Sequence, residues 1–185
     1  MNKRGIIFKG IGGFYYVHVI SDDGTSLKRE IYCCKARGIL KKQGITPCVG
    51  DVVEVDVIDG KEGVIEKIEK RKNSFVRPPV SNVDVIVIVA SASSPKANPY
   101  IIDKFMVVAK EHGVDVLLCI NKIDEAEGED IDKIKDIYKN VCPVILISGI
   151  AGKGMDYLKR KLTGKKVAFA GPSGVGKSTI INALN

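Results

Sequence analysis

Nine consecutive residues, Gly171-Pro172-Ser173-Gly174-Val175-Gly176-Lys177-Ser178-Thr179, combine three glycines, a lysine and hydroxyls in a spacing that can enclose a phosphate. The glycines let the backbone curl so that successive N–H groups and the N-terminus of a following helix point at one anion. Lys177 would then reach the β and γ phosphates, and the Ser178 hydroxyl would complete a Mg²⁺ shell. Such a loop specifies a nucleotide but not its base, and its plainer reading is a strand-to-helix turn. A base could be selected by Asn121-Lys122-Ile123-Asp124. The Asp124 carboxylate can accept from both guanine N1–H and the 2-amino group, whereas adenine offers neither donor. A site built on such bonds rejects an analogue lacking them by on the order of 10⁴. Lys122 would lay its stem along the base and Asn121 would brace base and loop. Ser148-Gly149-Ile150 could add backbone N–H groups for guanine O6. Both short segments would also serve as simple turns in any α/β protein.

These residues need a scaffold, and the pattern after residue 82 supplies one. Val83 to Ala90 is almost entirely β-branched and apolar, as a strand buried on both faces of a parallel sheet should be. Asn98 can cap a helix with Pro99 at its first position, and Ile102, Phe105 and Ala109 recur at helical spacing until Gly113. The unit then repeats. Val116 to Ile120 reads as a strand, Ile131, Ile134 and Ile137 mark a helix, and Val144 to Ile147 reads as a third strand. Met155, Leu158 and Leu162 mark another helix, and Val167 to Ala170 is a strand running into the glycine loop, followed by a helix carrying Ile180, Ile181 and Leu184. This predicts a doubly wound α/β sheet with the candidate residues at the carboxyl ends of its strands.

The first part of the chain reads differently. Phe14, Tyr16, His18 and Ile20 alternate with Tyr15, Val17 and Val19 before a turn at Asp22-Asp23-Gly24. Further strands fit Ile31 to Arg37, Val53 to Val57, and Gly63 to Lys70. About five short strands before residue 72 suit an all-β barrel of the oligonucleotide-binding (OB) type. Lys35, Arg37, Lys41 and Lys42, with no acid between them, could track an RNA backbone from a loop, or simply be solvated. Asn73 to Asn82 contains Pro78-Pro79 and breaks the periodicity, which predicts an extended, polyproline-like linker. The expected division is a barrel over 1–72, a linker over 73–82 and a nucleotide-binding domain over 83–185.

Composition narrows the classes. With 185 residues, 45% of them hydrophobic, the chain can bury a core. The five cysteines, Cys33, Cys34, Cys48, Cys119 and Cys142, are odd in number and show no C-x-x-C spacing, which argues for reduced thiols rather than disulfides or a zinc site. A net charge of +7 suits an anionic partner. No apolar run approaches the roughly 20 residues that span a bilayer, and Met1 to Gly5 lacks a signal core. A cytoplasmic monomer without a membrane partner is expected. His18 and His112 are read as structural, and no residue is assigned as catalytic base.

The base-reading residues precede the phosphate loop, the reverse of the usual GTPase order, so the domain is read as circularly permuted. With the leading barrel and the Arg77-Pro78-Pro79-Val80-Ser81-Asn82-Val83-Asp84 segment, the chain closely resembles the ribosome small subunit-dependent GTPases, the RsgA family. The resemblance implies binding of GTP/GDP and Mg²⁺, docking on the small ribosomal subunit and its rRNA late in 30S maturation, and hydrolysis stimulated by that subunit. Two departures stand out. The family's Ser-Ala-Lys is Ser148-Gly149-Ile150 here, and no aspartate is followed by a glycine three positions later, so the D-x-x-G γ-phosphate sensor is absent. The family's C-terminal zinc-binding domain is absent too. A fragment of a longer protein is therefore expected, one that hydrolyses GTP little by itself. The rival readings are an ATP-using P-loop enzyme and a non-catalytic nucleotide- or RNA-binding module.

Overall fold

The computed structural model describes residues 2–22, 27–76 and 78–184. Its chain divides into two compact units, Met1–Asn82 and Val83–Asn185.

The first unit is a closed five-stranded barrel of OB type. Strands β1 (Asn2–Ile11) and β2 (Phe14–Asp22) form a hairpin through Gly12-Gly13, whose φ angles of 60° and 83° are the positive values a tight two-residue turn demands. The chain continues into β3 (Leu27–Ala36), a short helix α1 (Gly38–Lys42), β4 (Val52–Asp59) and β5 (Glu62–Ile68). Strand order is β1-β2-β3-β5-β4, with β3 and β5 parallel, the other pairs antiparallel, and β1 closing on β4. Alternation fills the interior with Ile7, Val17, Val19, Val53, Val55 and Ile65, and Leu40 of α1 packs into the same core. The full strand count depends on β1, whose polar opening Asn2-Lys3-Arg4 hides its alternation. The expected turn at Asp22-Asp23-Gly24 lies partly outside the described residues.

Two expectations in this unit are corrected. The basic stretch is not a loop: Lys35 lies in β3, which ends at Ala36, and residues 38–42 form α1, because Ile39-Leu40 gives that segment an apolar residue to bury. Nor is Asn73 to Asn82 an extended connection. Strands β6 (Ser74–Phe75) and β7 (Val80–Ser81) pair as a small antiparallel hairpin with Pro78 and Pro79 in its turn. A buried polar cluster holds it to the barrel. Asp51, fully buried, accepts two hydrogen bonds from Arg71 (2.7 and 2.8 Å), one from the Ser81 hydroxyl (2.6 Å) and one from the Cys48 N–H (2.8 Å). The proline pair masks this hairpin in the sequence because its pairing is supplied by distant residues, including Val49, which bridges Val80.

The second unit is an α/β sheet of four parallel strands. Its elements are β8 (Val85–Ser91), α2 (Pro99–Glu111), β9 (Asp115–Asn121), α3 (Gly128–Tyr138), β10 (Val144–Leu146), α4 (Met155–Leu162), β11 (Val167–Ala170) and α5 (Lys177–Leu184). The order β10-β9-β8-β11 places β8 and β9 centrally, which explains why every residue of β8 is buried. One face packs Val85, Val87, Val89, Leu117 and Cys119 against Met155, Leu158, Leu162 and Ile180. Asn98 caps α2 by accepting from Tyr100 N–H at 3.0 Å, with Pro99 as the first helical residue. In α3 the predicted stripe shifts: Ile137 is 52% exposed while Tyr138 is buried, its hydroxyl donating to Asp103 of α2 at 2.9 Å. No helix of the described residues is long and apolar enough to cross a membrane.

Candidate nucleotide-binding site

Strand order fixes where a ligand would sit. β8, β9 and β10 step outward in one direction, whereas β11 returns to the other side of β8, making a switch point between β8 and β11. The glycine loop leaves the carboxyl end of β11 there and feeds α5, which starts at Lys177. Two glycines are required by close approach as well as by conformation. Gly171 has φ 141°, and a β-carbon on it would meet the Val89 carbonyl oxygen of β8 at 2.3 Å. Gly176, with φ 92°, would meet Asn121 Nδ2 at 2.3 Å. Lys177 Nζ donates to the carbonyls of Gly171 (2.9 Å) and Pro172 (2.6 Å), so its ammonium lies across the mouth of the loop. Pro172, Ser173, Gly174, Ser178 and Thr179 complete the cradle; Ser173, Gly174, Ser178 and Thr179 are exposed, and Val175 anchors the loop in the core.

The carboxyl end of β9 brings the second group to the same place. Asn121 is 3% exposed, and its amide joins two segments: Nδ2 donates to the Val175 carbonyl at 2.9 Å, and Oδ1 accepts from Gly149 N–H at 3.0 Å. Lys122 has φ 63°, a conformation sparsely populated by non-glycine residues and found where a surrounding structure enforces it. Its Nζ donates to the Ser94 carbonyl at 2.6 Å. Ile123 N–H donates to Ile147 O at 3.4 Å, fixing the turn against the end of β10. Asp124 is exposed, and a hydrogen bond from Ser148, followed by its own backbone N–H, holds its carboxyl below the usual carboxylate range. Asp124, Ser148, Gly149, Asn121, Val175 and Gly176 thus form one continuous set of contacts ending at Lys177.

One expectation is changed by these bonds. The Ser148 N–H donates to Lys153 O at 3.0 Å and the Gly149 N–H to Asn121, so two of the three amides of the Ser148-Gly149-Ile150 turn expected at guanine O6 are engaged inside the protein. Gly149 instead holds the asparagine in position, and donation from Gly149 to a base would require that bond to open. A β-carbon at Gly149 would lie 3.4 Å from Ile180 and Thr179, so the glycine also lets this turn approach α5 closely.

The sequence reading missed a further wall. β8 ends at Ser91, fully buried, and the connection to α2 carries Ser93, whose N–H donates to Ser91 Oγ at 3.1 Å and whose hydroxyl donates to Glu125 at 2.7 Å. Pro95 faces the phosphate loop, 3.5 Å from where a Gly174 β-carbon would stand. The available signal was position alone: this connection leaves the strand beside β11 at the switch point.

The residues present fit a nucleoside polyphosphate, since the cradle is kept open by glycines and bordered by one ammonium and a helix N-terminus. For Mg²⁺ the fit rests on Ser178, exposed at the second position of α5. Among the described residues no group of three or more His, Cys, Asp or Glu is placed to hold a metal ion. Of the basic residues predicted for RNA, Lys35 lies on β3 with its ammonium 4.9 Å from the Phe14 ring, Arg37 is ion-paired with Glu66, Lys42 is exposed on α1, and the Lys41 side chain is outside the described residues. The five thiols are unpaired; Cys34 and Cys119 are buried, and desolvation pushes them up to about 11 and about 12.

Residues 68–185 match the RsgA GTPase family and residues 4–65 match the RsgA N-terminal domain. A relative from Alkaliphilus metalliredigens, named small ribosomal subunit biogenesis GTPase RsgA, is 43% identical over 98% of this chain and 61% of its own length. A relative of the same name from Caldanaerobacter subterraneus is 42% identical, matched over 59% of its length. The chain therefore spans about three fifths of the curated relatives it matches. Among solved structures, YjeQ from Thermotoga maritima superposes with a TM-score of 0.85 at 34% identity, over 100% of this chain and 66% of that one. YloQ, described as a circularly permuted GTPase, superposes with a TM-score of 0.80 at 35% identity, over 98% of this chain and 64% of that one.

Proposed function

The chain belongs to the RsgA GTPase family, and on that footing we propose that it binds GTP and GDP between the Asp124 turn and the Gly171–Thr179 loop, as part of a GTPase of small ribosomal subunit biogenesis. The observation that carries the reading is Asn121, whose single amide ties the base-reading turn, the Ser148-Gly149 turn and the phosphate loop into one pocket. Asp124 recognises guanine. Gly171 to Gly176 present N–H groups to the phosphates, Lys177 leaves the loop carbonyls for the β and γ oxygens, and Ser178 would hold Mg²⁺. Bound there, the ion would supply charge neutralisation to the phosphates. Hydrolysis by water attack depends on positioning and electrostatics rather than a covalent intermediate, and this chain offers no D-x-x-G group to orient the γ-phosphate. The barrel binds rRNA on the small subunit, with Lys35, Arg37, Lys41 and Lys42 as its first candidates.

Turnover of GTP by the complete protein, measured with and without small ribosomal subunits, tests this reading. Stimulation by the subunit is expected, with ATP hydrolysed no faster than background. Equal use of ATP and GTP would favour an ATP-using enzyme, and no turnover under either condition would favour a binding module.

A further inference from the structure

A strand of an antiparallel barrel needs one apolar face, yet β2 has two. Val17 and Val19 fill the interior, while Phe14, Tyr16 and His18 alternate with them on the outside. Phe8 joins them from β1, where the register slips between Ile7, opposite Val17, and Lys9, opposite Tyr16. Such a bulge re-aims its side chain. The Phe8 ring stacks on His18, centroids 4.0 Å apart and planes 30° apart, and lies 6.4 Å from the Tyr16 ring. Phe8 remains 38% exposed and Phe14 41%. Two cations border the rings: Lys9 Nζ is 5.3 Å from the Tyr16 centroid and Lys35 Nζ is 4.9 Å from that of Phe14. His18 Nδ1 is buried without a hydrogen-bond partner, an unusual omission for a buried polar atom.

We propose that this outer face of β1 and β2 is a stacking platform for unpaired RNA bases, with Lys9 and Lys35 meeting the phosphates between them. The proposal rests on the reading of the barrel as RNA-binding and deepens it by naming single strands rather than duplex as the ligand. Phe8 and Phe14 are partly exposed and Tyr16 is half-buried. Lys9 and Lys35, which lie over the Tyr16 and Phe14 rings, uncover those π-faces when they turn to phosphates, matching the alternation of base and phosphate along a single strand, whereas a duplex keeps its bases stacked on one another. An apolar protein partner would satisfy the rings but would leave both ammonium groups facing a dry interface.

The test is fluorescence anisotropy with a labelled oligouridine of about ten nucleotides, compared with an RNA duplex of the same length, using the full chain. Phe8→Leu and Tyr16→Leu keep apolar cover while removing the π-face; each is expected to weaken single-strand binding by about tenfold, whereas Phe8→Tyr retains it. GTP affinity and melting temperature report intact folding. Unchanged single-strand affinity in both leucine variants, or duplex bound as tightly as single strand, overturns the platform while leaving an RNA-binding barrel standing. A wild-type chain that binds neither oligonucleotide nor small subunits overturns the RNA-binding reading and the platform with it. Loss of subunit binding with oligonucleotide affinity intact would assign the face to a protein and equally overturn the proposal.

Discussion

Asp124 and Asn121 divide the work of the site between an exposed and a buried side chain. Asp124 is exposed, as the proposed contact with guanine requires, and the Ser148 hydrogen bond that lowers its pKa favours the ionised form. The sign follows directly: only the carboxylate accepts from guanine N1–H and the 2-amino group, so a depressed pKa preserves recognition as pH falls through the ordinary carboxylate range. Asn121 is buried and meets other segments of the protein. Asp124→Asn replaces an acceptor by a group that presents one donor and one acceptor, which mismatches guanine and matches xanthine. Loss of charge-assisted bonds is expected to weaken GTP roughly ten- to a hundredfold and to favour xanthosine triphosphate over GTP, read by titration calorimetry with each nucleotide. Unaltered GTP affinity would place the base elsewhere.

Among the elements, the β6–β7 hairpin depends most visibly on one residue. Asp51 accepts from Arg71, Ser81 and the Cys48 N–H at zero exposure, and Asn82 adds a bond from its Nδ2 to the Gly50 carbonyl at 3.0 Å. Asp51→Ala strands the Arg71 guanidinium, which is itself 27% exposed and so partly hydrated. A destabilisation on the order of 3 kcal/mol is expected, at the lower end of what removing one partner of a buried pair costs, measured by denaturant unfolding of the variant against the parent chain. This element also marks the limit of sequence reading. Strands β8, β9 and β11 were legible as continuous apolar runs, helices α2 and α4 because their apolar residues recur at helical spacing, and the phosphate loop because its spacing is local. The hairpin was not, since Ser74-Phe75 and Val80-Ser81 are too short to show alternation and gain their stability from Val49 and Asp51, more than twenty residues away. The two bonds of the Asn121 amide, one of which engages the Gly149 N–H, are likewise long-range.

At the scale of the molecule, a formal charge of +7 does not say which of the barrel's cations are available to an anion. Lys3 pairs with Glu30, Arg4 with Glu69, Arg37 with Glu66 and Lys67 with Glu54, each combination neutral in sum. Exposed pairs of this kind contribute little stability, about 0–1 kcal/mol, but they must be broken or shared before the cation can meet a phosphate. Lys35 is differently placed, held over an aromatic ring, where its charge stays available to an anion. Counterion release makes the distinction measurable, since each phosphate neutralised on a single strand adds about 0.7 to the slope of log affinity against log salt. Co-sedimentation with small ribosomal subunits between about 50 and 200 mM salt is therefore expected to show Lys35→Gln flattening the slope by close to one phosphate's worth. Arg37→Gln should change it less, because Glu66 already screens that guanidinium. Equal slopes for the two variants would mean that the Arg37 pair opens on the subunit, and an unchanged slope in both would remove this edge of the barrel from the contact.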